Sequence, residues 1–174
     1  GTNAQTVKGG ASANQLTAAA GTTADVLIGG AGNDTLTANS GLNTLTGGAG
    51  RDNFVVASIT ANVNVYSTIT DFASGDSLTL VNTGTETFAR TKLTLGNTAV
   101  FQDYANLAAA GAGNVNGAIS WFQFGGDTYV VEDNTAGATY TPATDVIVKI
   151  TGLVDLSTAG FNAAAGTAPI LTLA

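Results

Sequence analysis

The sequence contains no cysteine, no histidine and no methionine, and it has only two prolines. Without cysteine the chain forms neither disulfides nor thiolate metal sites, and without histidine it lacks the commonest zinc ligand and the usual general base. Together these absences exclude most enzyme mechanisms for this chain. Because methionine is absent, Gly1 is not a translation start, and we expect the chain to be cut from, or processed out of, a longer protein.

Charge is also scarce, and most of it is negative. Five Lys and Arg stand against 12 Asp and Glu, a formal net charge of −7 that disfavours binding to nucleic acid or to an anionic membrane surface. No apolar run reaches the roughly 18 residues of a membrane span, and no basic and then apolar leader opens the chain. We therefore expect cations as partners, no nucleic acid and no membrane span. The 44% hydrophobic content over 174 residues predicts folded material.

A nine-residue period organises the first third of the chain. Its clearest copy is GGAGNDTLT at 29–37, and GGAGRDNFV at 47–55 repeats its three glycines, its aspartate and its large apolar position. From the composition, these four identities recur by chance roughly once in ten thousand at a given offset. Three weaker copies complete the series: 9–17, which is followed by two extra residues, 20–28 and 38–46.

The period predicts a coil of two nonapeptides, each with six residues of turn and three of strand. Turns 18 residues apart then stack on one edge at the strand spacing of about 4.8 Å, which places Asp34 over Asp52. Asn14 falls on the same edge, while Asp25 and Asn43 stack on the opposite one. The large apolar residue of each copy is expected to point inward and form a buried column: Leu16, Leu27, Leu36, Leu45 and Phe54.

The stacked acids predict a cation site. Two carboxylates about 5 Å apart repel by roughly 3 kcal/mol at an effective dielectric near 20, and a divalent ion between them reverses that sign. Oxygen ligands on flexible glycine loops suit calcium better than magnesium. We predict Asp34 and Asp52 as the main side-chain ligands, with Asp25, Asn14 and Asn43 as weaker ones. The predicted carbonyl donors are Gly30, Gly32, Gly48 and Gly50. The alternative is that the Gly-Asp turns only make tight loops.

The consensus G-G-x-G-x-D-x-U-x, with U large and apolar, resembles the RTX repeats of bacterial proteins secreted by the type I pathway. This resemblance implies a calcium-binding parallel β-roll. The segment ITDFASGDSLTL at 69–80 is similar to the one that follows the repeats in many RTX proteins, including serralysin-type proteases and secreted lipases. By that resemblance Asp71 is a further calcium ligand and Asp76 a weaker one. The alternative is a β-turn with solvated acids.

The remainder of the chain predicts mostly strands. Residues 101–110 favour one short helix that ends at Gly111. The β-rich runs lie at 118–124 and 128–131, which form a hairpin, and at 145–150. Glu132, Asp133 and Asp145 either make another cation site or are solvated acids at strand ends.

The segments 122–133 and 145–156 resemble the terminal module of type I-secreted proteins, which caps the repeat coil and carries the secretion signal. By this resemblance the apolar segment 161–174 lies where a type I secretion transporter reads its uncleaved signal. The segment contains no acidic residue, which departs from the protease version of that signal.

We therefore predict a mostly all-β chain with an RTX β-roll at 1–57 and a β-rich cap and secretion-signal region at 58–174. Its predicted role is calcium-dependent folding and export of a secreted or cell-surface bacterial protein, an S-layer subunit or adhesin that self-associates in a surface lattice. The alternative parent is an extracellular hydrolase of the serralysin-type protease or lipase class. The chain itself is not predicted to be an enzyme.

Overall fold

The computed structural model describes residues 3–19, 21, 24–56, 63–81, 83–84, 86–111, 116–164 and 166–174. The chain is mostly β with one short helix, and its repeats form a parallel β-solenoid of about 3 turns, which confirms the predicted fold class. The strands of the coil are β1 (Thr6–Lys8), β2 (Gln15–Thr17), β3 (Val26–Ala31), β4 (Thr35–Ala38), β5 (Thr44–Ala49), β6 (Asn53–Val56), β7 (Ser67–Ile69) and β8 (Ser77–Thr79). The elements that follow are β9 (Thr87–Phe88), α1 (Phe101–Ala110), β10 (Ala118–Phe124), β11 (Asp127–Asp133), β12 (Val146–Ile150), β13 (Gly160–Asn162) and β14 (Ile170–Thr172).

Successive repeat strands alternate between two sheets, as a coil of two nonapeptides requires. Leu27 pairs with Leu45 in one sheet and Leu36 with Phe54 in the other, both in parallel register and both 18 residues apart. In the first coil the paired residues are 20 rather than 18 positions apart, since Leu16 pairs with Leu36. The two extra residues after the first copy account for the difference. The nonapeptide period therefore sets the register of both sheets.

The predicted apolar column lies inside the roll. Its members are between 0% and 8% exposed: Leu16, Leu27, Leu36, Leu45 and Phe54. Ile69 and Leu78 continue the column into the next coil and are both fully buried. Burying each of these side chains contributes about 1.5–3 kcal/mol, so the column is the main apolar support of the roll.

The strands β3 and β5 are longer than the predicted three residues because they continue into the glycine turn. Gly30 pairs with Gly48 and Ala31 with Ala49 in the same ladder. Both glycines have positive φ, 115° and 104°, and a Cβ added to Gly48 would lie only 2.9 Å from the carbonyl carbon of Gly30. Neighbouring turns therefore stack at a distance that only glycine permits at this position.

Both sheets of the roll continue into the C-terminal part of the chain. One is ordered β1-β3-β5-β7-β12-β11-β10-β9 and the other β13-β14-β8-β6-β4-β2. The strand β12 is parallel to β7, whereas β14 is antiparallel to β8. The predicted boundary between 1–57 and 58–174 falls in 57–62, outside the described residues, and the two-part division stays a prediction.

The helix α1 begins at Phe101 and is followed by Gly111, as predicted. It packs on the β10–β11 hairpin through aromatic rings. Tyr104 stacks on Phe122 at a centroid distance of 5.0 Å, and Phe101 meets Tyr129 edge-on at 4.8 Å. These rings belong to a second buried cluster, separate from the core of the roll. Tyr140 of the β11–β12 loop joins this cluster, and its N–H donates to Asn106 Oδ1 of the helix at 3.2 Å.

Candidate metal centre

A ladder of carboxylates runs along one edge of the roll. The Asp34 N–H donates to Asp52 Oδ1 at 2.8 Å, and the Asp52 N–H donates to Asp76 Oδ1 at 2.9 Å. At the other end, the Asn14 N–H donates to Asp34 Oδ1 at 2.7 Å. Each acid therefore accepts a hydrogen bond from the equivalent residue of the preceding coil, so the predicted stacking of Asn14, Asp34 and Asp52 is confirmed as a geometry.

The second oxygens of Asp34 and Asp52 are buried and have no hydrogen-bond partner. The two side chains are only 1% and 2% exposed. Burial raises the pKa of Asp52, against the opposing effect of the Asp34 N–H, and the carboxylates of Asp76, Asp34 and Asp71 raise it further. An unpartnered buried polar atom costs about 1–3 kcal/mol. A cation bound at this edge would coordinate the two unpartnered oxygens and offset the repulsion between the carboxylates.

In the two clear copies of the repeat, the first glycine makes room for the acid of the same copy. A Cβ added to Gly29 would lie 2.8 Å from Asp34 Cγ, and one added to Gly47 would lie 2.7 Å from Asp52 Cγ. The carboxylate therefore folds back over a position where no side chain fits. This role of Gly29 and Gly47 was not predicted, although the doubled glycine that opens each clear copy is its signal in the sequence.

The predicted carbonyl donors lie on the same edge. A Cβ added to Gly50 would lie 2.7 Å from the carbonyl carbon of Gly32, and Gly48 meets Gly30 in the same way. The carbonyl groups of Gly30 and Gly32 therefore face the matching glycines of the next turn, in the direction of stacking. Their coordination of a metal stays a prediction, as does that of the aspartates.

The opposite edge carries Asp25 and Asn43, stacked as predicted. The Asp25 N–H donates to Asn43 Oδ1 at 3.0 Å. Both Asp25 oxygens accept backbone hydrogen bonds, from the N–H groups of Gln5 and Ala19, each at 2.8 Å. Both Asp25 oxygens therefore have a backbone partner, whereas Asp34 and Asp52 each keep one oxygen without one. Metal ligation by Asp25 and Asn43 stays a prediction.

The two acids after the repeats take different places. Asp71 accepts from the Gly47 and Gly48 N–H groups at 3.0 and 2.8 Å. Asp76 is 4% exposed, continues the carboxylate ladder through Oδ1 and accepts from the Ala73 N–H at 2.9 Å through Oδ2. The solvated-turn alternative is therefore wrong for Asp76. Metal ligation by Asp71 stays a prediction.

The acids at the end of β11 and directly before β12 are also buried. Glu132, Asp133 and Asp145 are each 0% exposed, so the alternative of solvated strand ends is wrong. Burial raises the pKa of Glu132 to about 8, against the hydrogen bond that the Val81 N–H donates to Oε2 at 3.0 Å. This second buried acidic group lies outside the repeats, in the C-terminal part of the chain.

Among the described residues, no three Asp, Glu, His or Cys side chains come together as a metal site. The predicted ligand set at the repeats is of a different kind, one or two carboxylates together with backbone carbonyls, and it stays a prediction. Such hard oxygen donors are what calcium takes in flexible loops. Within the same described ranges, the structure has no helix that is long and apolar enough to cross a membrane.

Comparison with known proteins agrees with this geometry. The sequence model of the family described as RTX calcium-binding nonapeptide repeat (4 copies) matches residues 20–54. No curated protein matches the chain. RTX nonapeptide repeats bind calcium, and the β-roll that they build is a structural module rather than a catalytic one. Residues 20–54, with the ladder acids Asp34 and Asp52 inside them, are an RTX calcium-binding region.

Proposed function

We propose that this chain is a calcium-dependent structural and export module of a secreted bacterial surface protein, and that it folds on meeting extracellular calcium. The observation that carries the proposal is the carboxylate ladder. Asp34 and Asp52 are buried at the turn edge of an RTX coil, and each has one oxygen without a hydrogen-bond partner. A coil built this way is destabilised by its own acids until a cation arrives.

Calcium supplies a folding signal because its concentration differs across the cell envelope. Extracellular modules bind calcium at about 10⁻⁴–10⁻³ M, so their sites stay empty in the cytosol and the chain stays open for export. Outside, each site contributes about 1.4–2.7 kcal/mol when calcium exceeds the Kd by ten- to a hundredfold. Stacked coils share the ladder, so binding at one turn favours order in the next.

The C-terminal part is proposed to act as the cap on which the coils order. It covers the end of both sheets, since β12 pairs with β7 and β14 pairs with β8. Covering these edges supports the last coil and removes strand edges that would otherwise pair with other chains. We assign the roll to 1–57 and the cap, with the signal read by a type I secretion transporter, to 58–174.

The parent protein is proposed to be an S-layer subunit or adhesin that self-associates at the cell surface. Support comes from the composition, which lacks Cys, His and Met and carries only 10% charged residues. The sequence upstream of this chain in its gene tests this part. A long Thr-, Ala-, Gly- and Asn-rich β region is expected there, whereas an H-E-x-x-H or G-x-S-x-G motif would identify a secreted hydrolase instead.

Far-ultraviolet circular dichroism of the chain, titrated with calcium after chelation, tests the folding switch. We expect a transition from coil to β at high micromolar to millimolar calcium and none with magnesium. The variant D34N/D52N should require more calcium or fail to fold. The matched control is D155N, because Asp155 is exposed and lies outside the roll. A spectrum that is already rich in β in chelator and does not change with calcium would overturn the proposal.

A further inference from the structure

We infer that the loop joining β11 to β12 holds a second divalent cation, of the calcium class, between the carboxylates of Asp133 and Asp145. This place is in the cap and belongs to none of the nonapeptide copies. The inference does not depend on the folding switch proposed above.

The first ground is a shared pattern of unmet oxygens. In the described part of the chain, the acidic side chains with a buried oxygen that lacks a hydrogen-bond partner are Asp34, Asp52, Glu132 and Asp133. The first two belong to the calcium-binding repeats. Asp133 has the same arrangement: Oδ1 accepts from the Thr135 N–H at 3.0 Å, while Oδ2 is buried and unpartnered.

The second ground is the convergence of oxygen donors. The hydroxyl of Thr135 lies 3.4 Å from Asp133 Oδ1 and 3.4 Å from Asp145 Oδ1, so the two carboxylates share a neighbour. The Thr141 hydroxyl lies 3.4 Å from that of Thr135. The side-chain oxygen of Asn134 is also buried and unpartnered. Carboxylate, hydroxyl and amide oxygens are the donor set of calcium rather than of zinc or copper.

The third ground is the charge balance of the loop. Asp133 and Asp145 are each 0% exposed, and Glu132 beside them is equally buried. Within the described residues, the ion pair of the nearby sheet joins Lys149 to Asp127, and no Lys or Arg side chain pairs with the two loop aspartates. Two carboxylates brought this close in a dry environment repel strongly unless a positive charge joins them.

Asp145 is held in place for such a role by the backbone of its own loop. Its Oδ1 accepts from the Asn134 N–H at 3.0 Å and its Oδ2 from the Thr141 N–H at 2.6 Å. Two rigid contacts fix the carboxylate before a ligand arrives, which lowers the ordering cost of binding. The Tyr140 hydroxyl donates to the Asp145 carbonyl oxygen at 3.3 Å, so a phenol ring lies beside the proposed site.

That tyrosine supplies a local readout. Terbium binds calcium sites and emits when a neighbouring aromatic ring is excited, so terbium at this loop should emit through Tyr140. We would titrate the full chain with terbium and count bound calcium by equilibrium dialysis. The D133N/D145N variant should lose one calcium per chain and the tyrosine-sensitised emission, while D155N should match the wild type in both. The Y140F variant should lose the emission and keep the calcium.

Unchanged calcium stoichiometry together with unchanged emission in D133N/D145N would overturn the inference. If D133N/D145N does not fold, Y140F decides alone, because it keeps every proposed ligand. Emission in Y140F equal to that of the wild type would overturn the site, and its loss would support it.

Discussion

The space left by the first glycine of a repeat makes a sharp prediction for Gly47→Ala. The added Cβ would lie 2.7 Å from Asp52 Cγ and nearer still to Oδ2, and ordinary contact begins near 3.4 Å, so the carboxylate must move by at least about 0.7 Å. The hydrogen bond from the Asp34 N–H to Asp52 Oδ1 is 2.8 Å long, and a shift of that size takes it to the limit of a hydrogen bond.

The expected magnitude follows from these two effects. Overpacking costs about 1–3 kcal/mol, and a buried N–H without its partner costs a similar amount. The two costs overlap because one movement of Asp52 relieves the clash while breaking the bond. Gly→Ala also removes freedom from the unfolded chain, which returns about 0.4–1 kcal/mol. We expect Gly47→Ala to lower the free energy of unfolding by about 2 kcal/mol.

Urea unfolding at saturating calcium measures this change, with the midpoint and the m-value fitted together. Gly10→Ala is the matched control, since Gly10 also lies in a repeat turn and a Cβ there meets nothing within 4 Å. The control should be as stable as the wild type or up to about 1 kcal/mol more stable. If Gly47→Ala has the wild-type midpoint and still binds calcium with wild-type affinity, the steric account of Gly47 is refuted.

Two further predictions concern the core and the C-terminal part of the chain. Leu36→Ala, at a fully buried position of the column, should lower the free energy of unfolding by about 2–5 kcal/mol. The control Leu42→Ala, at a site 49% exposed, should change it by less than about 0.5 kcal/mol. Equal losses for the two variants in chemical denaturation would contradict the buried column. The Lys149 ammonium, 2.7 Å from Asp127, together with the Gly152 N–H, lowers the Asp127 pKa. The stabilisation that the ionised Asp127 gives the folded state is therefore complete above the unfolded pKa of about 3.9, and it is lost as pH falls through the lower folded pKa. Asp127→Asn should lower the free energy of unfolding by up to about 1 kcal/mol at pH 7, and by less in acid. A cost that does not depend on pH would exclude the ion pair as its cause.

The nonapeptide period alone determined the roll. A repeat of nine residues with glycine turns and one large apolar position is compatible with few other folds, because each copy must bury its apolar residue against the next copy. The spacing of 18 residues, the inward column from Leu16 to Phe54 and the shared edge of Asp34 and Asp52 all follow from that local rule. The short helix and the β10–β11 hairpin were also predictable, since their signals lie within a few residues of chain.

Tertiary structure decided what the period does not reach. Asp76 joins the carboxylate ladder across a spacing of 24 residues, which no repeat specifies. Glu132, Asp133 and Asp145 lie at strand ends, where acids are usually solvated, yet all three are buried. Glu132 accepts from the Val81 N–H, 51 residues away, and Asp145 accepts from N–H groups of the β11–β12 loop. Local pattern sets which residues of one coil face inward. The solvent exposure of an acid, and therefore its need for a cation, depends on chain segments that pack on it from far along the sequence.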